Sequence, residues 1–233
     1  MPRSDELTTL REAGDRRLYP SIRDPNWLVL RRRREIFRTW LSELPVRHPA
    51  VLDVGGRIQP YRELVSDPSR YCAIDLRPNN LITAVASAEQ IPFRDGVFDL
   101  VICTQMIEYA PRPLFVASEI HRVLRAGGVL LLSAPTIFPR DSEHDRWRFF
   151  PPILADLFCG FSKVEIVPET GSGAGFLRTI AVGCDAAVHN KLLKAMLRVA
   201  LFPAINCMGA VLDRSKLRQP GSFTVNYSVR AVK

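Results

Sequence analysis

The sequence predicts an α/β fold built around a mostly parallel β-sheet. Between residue 50 and about residue 134, apolar strands alternate with turn signals and helical patterns, as in successive βαβ units. A glycine-rich turn follows the first of these strands, and a carboxylate ends the second. The 233 residues are 47% hydrophobic, so the chain can bury one sizeable core and favours a single domain.

Strands are expected where short apolar runs lie between turn residues. We place them at 50–54, 71–74, 81–85, 98–103, 129–132, 163–167 and 223–229. Helices are expected at 113–125, before the stop signal Gly127-Gly128, and at 151–158.

A further helix is expected at 26–43. Asp24 offers an N-cap, Pro25 suits a first turn, and Pro45 ends the pattern. Its apolar residues recur at helical spacing, which predicts that the arginine run 31–34 faces outward. This run is either a solvated face or a patch for nucleic acid or phosphate.

Charge and cysteine content limit the class of protein. The formal net charge of +8 suits an acidic partner, but much of it lies in the helix at 26–43. The N-terminus lacks a secretory pattern and no uninterrupted apolar run reaches the roughly 18 to 20 residues of a spanning helix, so we expect a cytoplasmic protein. The five cysteines are scattered, which favours neither a disulfide framework nor a metal site.

The turn after the first strand is the strongest sign of a ligand site. Asp53, Gly55 and Gly56 place a carboxylate and open backbone at the carboxyl edge of the sheet. Asp75 follows at a spacing that suits hydrogen bonds from ribose hydroxyls. The third glycine of a dinucleotide-binding turn is missing, which disfavours a nicotinamide enzyme. The alternative for these residues is an ordinary turn and a surface carboxylate.

Several motifs occur in one order: VLDVGG, YCAIDL, AEQIPFRDGVFDLVICTQMIEYAPRP and EIHRVLRAGGVLLLSAP. In this respect the chain resembles the class I S-adenosylmethionine-dependent methyltransferases of the type 11 group. The resemblance implies a Rossmann-like three-layer sandwich with a seven-stranded, mostly parallel sheet and an antiparallel last strand. It divides the single domain 1–233 into a helical extension (1–45), a cofactor-binding core (46–171), a helical insertion (172–220) and the last strand (221–233).

The resemblance also implies which residues hold S-adenosylmethionine. The turn cradles the methionine part, the second strand's carboxylate holds the ribose, and neighbouring residues meet the adenine and lie beneath the sulfonium. These residues are Asp53, Gly55, Gly56, Asp75, Leu76, Ser87, Ala88, Cys103, Thr104 and Gln105. The chain departs from the group at Arg57, where glycine is usual, and at Ser87, where aspartate is frequent.

The loop at 140–149 is the main candidate for the acceptor side. His144 beside Asp145 suits a general base for a hydroxyl, Arg140 or Arg148 suits an anionic group, and Trp147 suits stacking on a ring. The alternative is structural.

In that alternative, Asp145 and Arg148 form a cap and an ion pair, while Trp147 and Phe149 pack in the core. Glu108 and Tyr109 are expected either to border the acceptor pocket or to begin a helix and pack. No motif for methylating an exocyclic amine follows the fourth strand.

The insertion carries an apolar helical segment at 190–212, which we expect Pro203 to interrupt. Arg198, Pro203 and Asn206 disfavour a membrane-spanning helix. The segment suits a cap or homodimer contact, or else a peripheral contact with an anionic membrane at its inner face.

The sequence therefore predicts methyl transfer to a small molecule or glycan, at a hydroxyl oxygen. Two alternatives remain: a non-catalytic cofactor-binding or partner protein, suggested by Arg57 and Ser87, and an RNA methyltransferase, suggested by the basic helix. No metal is expected.

Overall fold

The computed structural model describes residues 4–214 and 223–233. Its seven-stranded sheet has the order β3-β2-β1-β4-β5-β7-β6. The strands are β1 (Ala50–Val54), β2 (Arg70–Asp75), β3 (Ala84–Val85), β4 (Phe98–Thr104), β5 (Leu124–Pro135), β6 (Lys163–Pro168) and β7 (Asn226–Val232). Strand β7 runs antiparallel to both β5 and β6, and the pairs among β1 to β5 are parallel. The predicted sheet, with its antiparallel last strand, is therefore confirmed.

Helices cover both faces of the sheet. They are α1 (Ser4–Leu18), α2 (Trp27–Ser42), α3 (Pro113–Val123), α4 (Pro151–Leu157), α5 (Ser172–Ala187), α6 (Lys191–Met196) and α7 (Phe202–Arg214). Side chains that alternate along a strand enter separate cores, as the pleat requires. Leu52 packs with residues of α3 and α4, whereas Val51 packs with residues of α1 and α2.

Several predicted boundaries are wrong. Strand β5 begins at Leu124 and not at residue 129, so Gly127-Gly128 lie within the strand and the helix before it ends at Val123. The third strand is confined to Ala84–Val85, because the preceding residues form a turn in which Asn79 accepts hydrogen bonds from the Leu81 and Ile82 amides. The last strand begins at Asn226 and ends at Val232. The N-cap of α2 is Asn26, since the Asp24 carboxylate instead accepts a hydrogen bond from the Asn26 amide.

No α-helix follows the glycine turn in the described stretch between β1 and β2. A single 3-10 turn, Arg62–Leu64, lies there instead. The turn at Gly55-Gly56 is therefore not followed directly by a helix N-terminus. Its amides are engaged within the protein, since those of Gly55 and Gly56 donate to the Ile74 carbonyl and that of Arg57 donates to the Gly55 carbonyl.

Pro203 does not interrupt the insertion. The helix runs from Lys191 to Arg214 without a break, because residues Leu197–Leu201 form a π-helical turn directly before the proline. The wider turn lets the Phe202 amide reach the Leu197 carbonyl and accommodates the missing proline N–H. Residues 215–222, where the sequence predicts the end of the insertion and the start of the last strand, lie outside the described residues.

The arginine run on α2 does not face outward as predicted. Arg33 is 2% exposed and its three neighbours are half-buried. The spacing that places Leu30 and Phe37 in the core places Arg33 on the same face, three residues after the first and four before the second. The buried guanidinium makes a two-point ion pair with Glu169, with both N–O distances at 2.9 Å.

Candidate active site

The sheet order reverses between β1 and β4, where open α/β sheets bind ligands at their carboxyl edge. Val54 of β1 pairs with Cys103 of β4 and with Ile74 of β2, one residue before the ends of these two strands. Asp75 and Thr104 follow directly. The topology thus brings three sequence-predicted segments to one crevice.

Two glycines shape the turn after β1. Gly55 has a φ of +76°, which favours glycine, and its N–H donates to the Ile74 carbonyl at 2.9 Å. A Cβ at Gly55 would lie 2.6 Å from the Met106 side chain, and a Cβ at Gly56 would lie 2.6 Å from the Asp53 carboxyl carbon. The glycines therefore permit a close approach of β1, its carboxylate and the segment after β4.

Asp53 holds a buried carboxylate beneath this turn. Burial raises its pKa to about 7, despite a 2.8 Å hydrogen bond donated by the Tyr71 hydroxyl. Arg62, which lies over the Tyr71 ring, favours the ionised form of Asp53 but does not form an ion pair with it among the described contacts. The site therefore carries a buried acid that a cationic ligand would stabilise in its charged form.

The residues expected around the adenosine lie at the ends of β2 and β3. Asp75 is half-buried and accepts a hydrogen bond from the Arg77 amide at 2.8 Å. Leu76 is 71% exposed, although it is apolar. Ser87 and Ala88 are half-buried, and the Ser87 hydroxyl accepts a hydrogen bond from the Glu89 amide.

The segment after β4 contains the residues expected beneath the sulfonium. Cys103 is fully buried, and burial with the charges of Glu108 and Asp53 raises the pKa of its thiol. Gln105 has a φ of +49° and its side-chain amide donates to Ser133 at 3.2 Å. Cys103 thus lies within the electrostatic reach of two buried carboxylates, one on the cofactor side and one on the acceptor side.

Glu108 lies in a 3-10 turn, Ile107–Tyr109, and is 3% exposed. Burial raises its pKa to about 8, and its Oε2 atom has no hydrogen-bond partner among the described residues. Its carbonyl accepts hydrogen bonds from the Arg146 and Trp147 amides, so the acceptor loop is attached directly to this turn. A buried acid with a raised pKa and an unpartnered oxygen is a frequent mark of a functional site.

The side chains of His144 and Asp145 lie in different environments. The His144 side chain is 67% exposed and lies 3.7 Å from the Glu143 carboxylate. The Asp145 side chain is buried and paired through both oxygens with Arg148, which lowers the pKa of Asp145. The predicted ion pair is therefore present, whereas no contact links the predicted base to its orienting acid.

The other acceptor-side residues are held mostly by backbone. Arg140 donates to the carbonyls of Ser142 and Glu143, and the Trp147 indole N–H donates to the Ala110 carbonyl at 2.8 Å. The Trp147 side chain remains 42% exposed, so it does not plug the core as Phe149 does.

Tyr109 likewise connects two loops. Its hydroxyl donates to the Asp141 carboxylate at 2.6 Å. Burial and this hydrogen bond raise the pKa of Tyr109 above its ordinary value, so the hydroxyl stays protonated at neutral pH.

Sequence reasoning missed the polar network behind this site. The Glu169 carboxylate accepts hydrogen bonds from Ser133 and Ser228, each at 2.7 Å, in addition to those from Arg33. Ser133 also accepts from Gln105, which connects the network to the segment after β4. The helical position of Arg33 was the available signal, since it shares the spacing of the buried residues.

The residues present fit S-adenosylmethionine in three respects. The turn at Gly55-Gly56 leaves the backbone bare, Asp53 is a buried acid without a paired cation, and Leu76 is an apolar side chain left in solvent where an adenine ring would cover it. The side chain of Arg57 is exposed, and its carbonyl accepts a hydrogen bond from the Asn79 side chain.

Comparison with known proteins gives a consistent result. Residues 52–132 match the family described as a methyltransferase domain. A 2-methyl-6-phytyl-1,4-hydroquinone methyltransferase from Oryza sativa subsp. japonica is 30% identical over 152 residues, which are 58% of this chain and 41% of that protein. The ubiquinone/menaquinone biosynthesis C-methyltransferase UbiE from Geobacter sp. is 33% identical over 101 residues, covering 41% and 43% of the two chains.

A ubiquinone biosynthesis O-methyltransferase from Pseudomonas paraeruginosa is 41% identical over 61 residues, or 26% of this chain and 24% of that protein. The chain thus spans less than half the length of each of these three relatives.

The fold of this chain resembles the folds of several solved structures. A methyltransferase from Archaeoglobus fulgidus that depends on S-adenosylmethionine has a TM-score of 0.50 at 15% identity, with 85% of this chain and 94% of that chain covered. The cyclase SpnF has a TM-score of 0.54 at 18% identity, with 86% and 80% covered. At such identities the likeness concerns the fold alone. Residues 52–132 thus match a methyltransferase-domain family, and the fold resembles that of a solved S-adenosylmethionine-dependent methyltransferase.

Proposed function

We propose that the chain transfers a methyl group from S-adenosylmethionine to a hydroxyl oxygen of a small molecule or glycan. The relatives named above act on quinones, at oxygen in one case and carbon in another, and this supports a small-molecule acceptor. The observation that carries the choice of a hydroxyl is the buried carboxylate of Glu108, whose Oε2 atom has no partner among the described residues.

When bound, S-adenosylmethionine supplies a methyl group on a positively charged sulfur. Asp53 and the turn at Gly55-Gly56 hold the methionine part, and Asp75 accepts hydrogen bonds from the ribose hydroxyls. The main task of the remaining residues is to hold the acceptor in line and exclude water.

Glu108 acts in this proposal as the general base that takes the hydroxyl proton. Its raised pKa makes it a stronger base than an ordinary carboxylate, and a nearby sulfonium cation would favour its ionised form. His144, the base predicted from the sequence, is exposed, and its ionic contact among the described residues is with Glu143, so we assign it no role in proton transfer. Asp145 instead fixes Arg148 and the acceptor loop.

Calorimetric titration tests the cofactor assignment. We expect micromolar binding of S-adenosylmethionine and S-adenosylhomocysteine and none of NADH. Asp75→Ala should weaken binding at least about tenfold, because two ribose hydroxyls lose their acceptor. Asp156→Ala, which changes an exposed aspartate on α4, is the matched control and should bind like the unmodified chain.

A panel of hydroxylated aromatics and glycans with isotopically labelled cofactor then tests transfer. Label on an acceptor oxygen would support the proposal, and label on carbon or nitrogen would contradict the choice of a hydroxyl. Tight cofactor binding without transfer to any acceptor would favour the non-catalytic alternative. No cofactor binding would contradict the enzyme assignment itself.

A further inference from the structure

The insertion forms a pair of antiparallel helices, α5 and the long helix Lys191–Arg214, which we call the helical hairpin. Phe202 and Ile205 of the long helix pack on Ala181 of α5, and Gly209 lies directly against Leu28 of α2. The buried side of the hairpin therefore packs against other parts of the protein.

The opposite side of the hairpin is apolar and exposed. Along the long helix, residues at helical spacing face solvent over about 20 positions, which corresponds to about 30 Å. Helix α5 adds Phe176 and Ile180, which are 54% and 40% exposed. We call this surface the apolar stripe; its most exposed members on the long helix are Leu192 (73%), Val211 (67%), Val199 (61%), Met196 (59%) and Met208 (50%). A soluble surface normally interrupts such a stripe with polar residues.

Basic residues flank the apolar stripe at both ends. Lys191 and Arg198 lie near the hairpin loop and Arg214 lies at the far end. The hairpin has two acids, and both are engaged within it: Asp185 pairs with Lys194 and Arg198 at 3.3 and 3.5 Å, and Asp213 accepts a hydrogen bond from the Gly171 amide. The surface is therefore apolar with a cationic border.

A second copy of the chain is a poor match for this charge pattern. In a two-fold contact between two stripes, a parallel or an antiparallel arrangement would bring basic ends together, because each stripe ends in cations. No unengaged carboxylate on the described hairpin would offset that repulsion. An anionic lipid surface matches both features, since acyl chains accept the apolar side chains and headgroups accept the cations.

The contacts of the hairpin favour a position on the membrane surface over a helix that crosses the membrane. By length and composition, Lys191–Arg214 passes as a spanning helix, with a mean hydropathy of 1.7 over its most apolar window. Asn206, however, is fully buried and donates hydrogen bonds to the carbonyls of Ile22 and Asp24. One side of the helix is fixed to α2 and α5, so only the apolar stripe can meet lipid.

We propose that the helical hairpin docks the protein peripherally on an anionic membrane through the apolar stripe. The hairpin begins at the carboxyl edge of the sheet, where Arg178 of α5 donates to Asn26 and to the Ile137 carbonyl of the acceptor side. If the proposed function holds, this position lets an amphipathic acceptor move between the membrane and the site. The docking itself does not depend on that function.

Vesicle sedimentation tests the docking with the full chain and no cofactor. We expect the chain to pellet with phosphatidylglycerol-containing vesicles and several-fold less with pure phosphatidylcholine. Leu192→Glu combined with Val211→Glu should lower partitioning at least about tenfold, because it places two charges in the apolar stripe. Both side chains are mostly exposed, so the fold should persist.

Two further variants complete the test. Leu114→Glu changes an equally exposed leucine on α3 and should partition like the unmodified chain. Lys191→Ser with Arg214→Ser should lower binding to anionic vesicles only. Titration with S-adenosylmethionine on each variant checks the fold and separates a failure of docking from a failure of the proposed function.

Equal partitioning of all variants, or none by the unmodified chain, would overturn the proposal. So would a dimer in light scattering that the Leu192→Glu, Val211→Glu variant dissociates, since the apolar stripe would then cover a second copy.

Discussion

At the scale of single residues, the site is unusual for the two carboxylates that it buries without a paired cation. Asp53 and Glu108 both have raised pKa values, near 7 and 8, and both influence Cys103 at the end of β4. Burying ionised carboxylates costs stability, so such groups are kept where a function needs them. One faces the expected cofactor and the other the expected acceptor.

Replacing Glu108 by Gln should lower kcat by about 10² to 10³, because the shape remains but the base is lost. Affinity for S-adenosylmethionine should stay within about threefold, since the turn at Gly55-Gly56 is untouched. For the unmodified chain, kcat/KM should rise with pH through a midpoint near 8, where Glu108 loses its proton, and this rise should vanish in Glu108→Gln.

The control for this prediction is Glu143→Gln, which changes an 84% exposed side chain in the adjoining loop and should leave the pH profile intact. A Glu108→Gln enzyme that keeps both its rate and its pH dependence would show that another group accepts the proton.

Asp53 predicts a pH dependence of stability. Its pKa is about 7 in the folded chain against an ordinary value of 3.8, so between these pH values the folded state holds a proton that the unfolded state has released. The free energy of unfolding therefore falls as pH rises through this interval. Asp53→Asn removes this contribution and should gain stability over the unmodified chain by about 1 to 3 kcal/mol between pH 5 and pH 8.

Urea unfolding of both proteins at the two pH values measures this difference. Groups other than Asp53 are common to both proteins, so their contributions to the pH dependence largely cancel. The Tyr71 hydroxyl donates to Asp53 and lowers its pKa, so Tyr71→Phe should move the fall in stability to higher pH. If the difference in the free energy of unfolding between Asp53→Asn and the unmodified chain does not change with pH, the raised pKa of Asp53 is contradicted.

At the scale of elements, the Arg33–Glu169 pair joins α2 to the sheet beside the acceptor side. Glu169 follows β6 and is bonded to serines of β5 and β7, so one carboxylate connects three strands and a helix. Burial of such a pair gains little net stability, but the loss of one partner leaves an uncompensated buried charge.

Arg33→Met should therefore lower the free energy of unfolding by about 3 to 5 kcal/mol. Arg33→Met combined with Glu169→Gln should be less destabilised than Arg33→Met alone, since the amide oxygen can still accept from Ser133 and Ser228 without a buried charge. Arg32→Met is the matched control on the next residue. Its half-exposed ion pair with Glu35 should contribute no more than about 1 kcal/mol.

Urea unfolding of these variants, together with Glu169→Gln alone, gives the coupling free energy between the two residues. A double variant as unstable as the sum of its parts would mean that the two residues stabilise the fold independently of each other.

The elements also show what the sequence could predict. Strands β1, β2, β4, β5 and β6 and helices α2, α3 and α4 follow from apolar patterns and stop signals, because local periodicity determines which face is buried. Pro203 misled the prediction, since a π-helical turn relieves the clash that a proline normally imposes. That compensation depends on packing against α5 and leaves no local signal.

The candidate site divides in the same way. Asp53, Gly55, Gly56 and Asp75 could be predicted because a turn and a strand end specify their position. The roles on the acceptor side could not, because burial of Glu108 and pairing of Asp145 depend on how distant loops meet. Residues that are adjacent in the sequence, such as His144 and Asp145, need not have side chains that contact each other.

At the scale of the whole molecule, three arginines of α2 contribute to the net charge of +8 but are engaged within the protein. On α2, Arg33 pairs with Glu169, Arg32 with Glu35, and Arg34 donates to the Leu18 carbonyl and covers the Tyr19 ring. A phosphate backbone would find no free row of guanidinium groups there. Lys191 and Arg214 instead lie at the two ends of the long helix that carries the apolar stripe.

We therefore expect no useful affinity for RNA. Anisotropy with a labelled single-stranded RNA should show weak binding in low salt, from net charge alone, and no saturation below about 100 µM at physiological salt. Micromolar binding at physiological salt, weakened in Arg32→Met, would restore the nucleic-acid interpretation of α2. If binding is instead lost only in Lys191→Ser with Arg214→Ser, RNA contacts the border of the apolar stripe, and the same two cations would then have to be tested for competition between RNA and anionic vesicles.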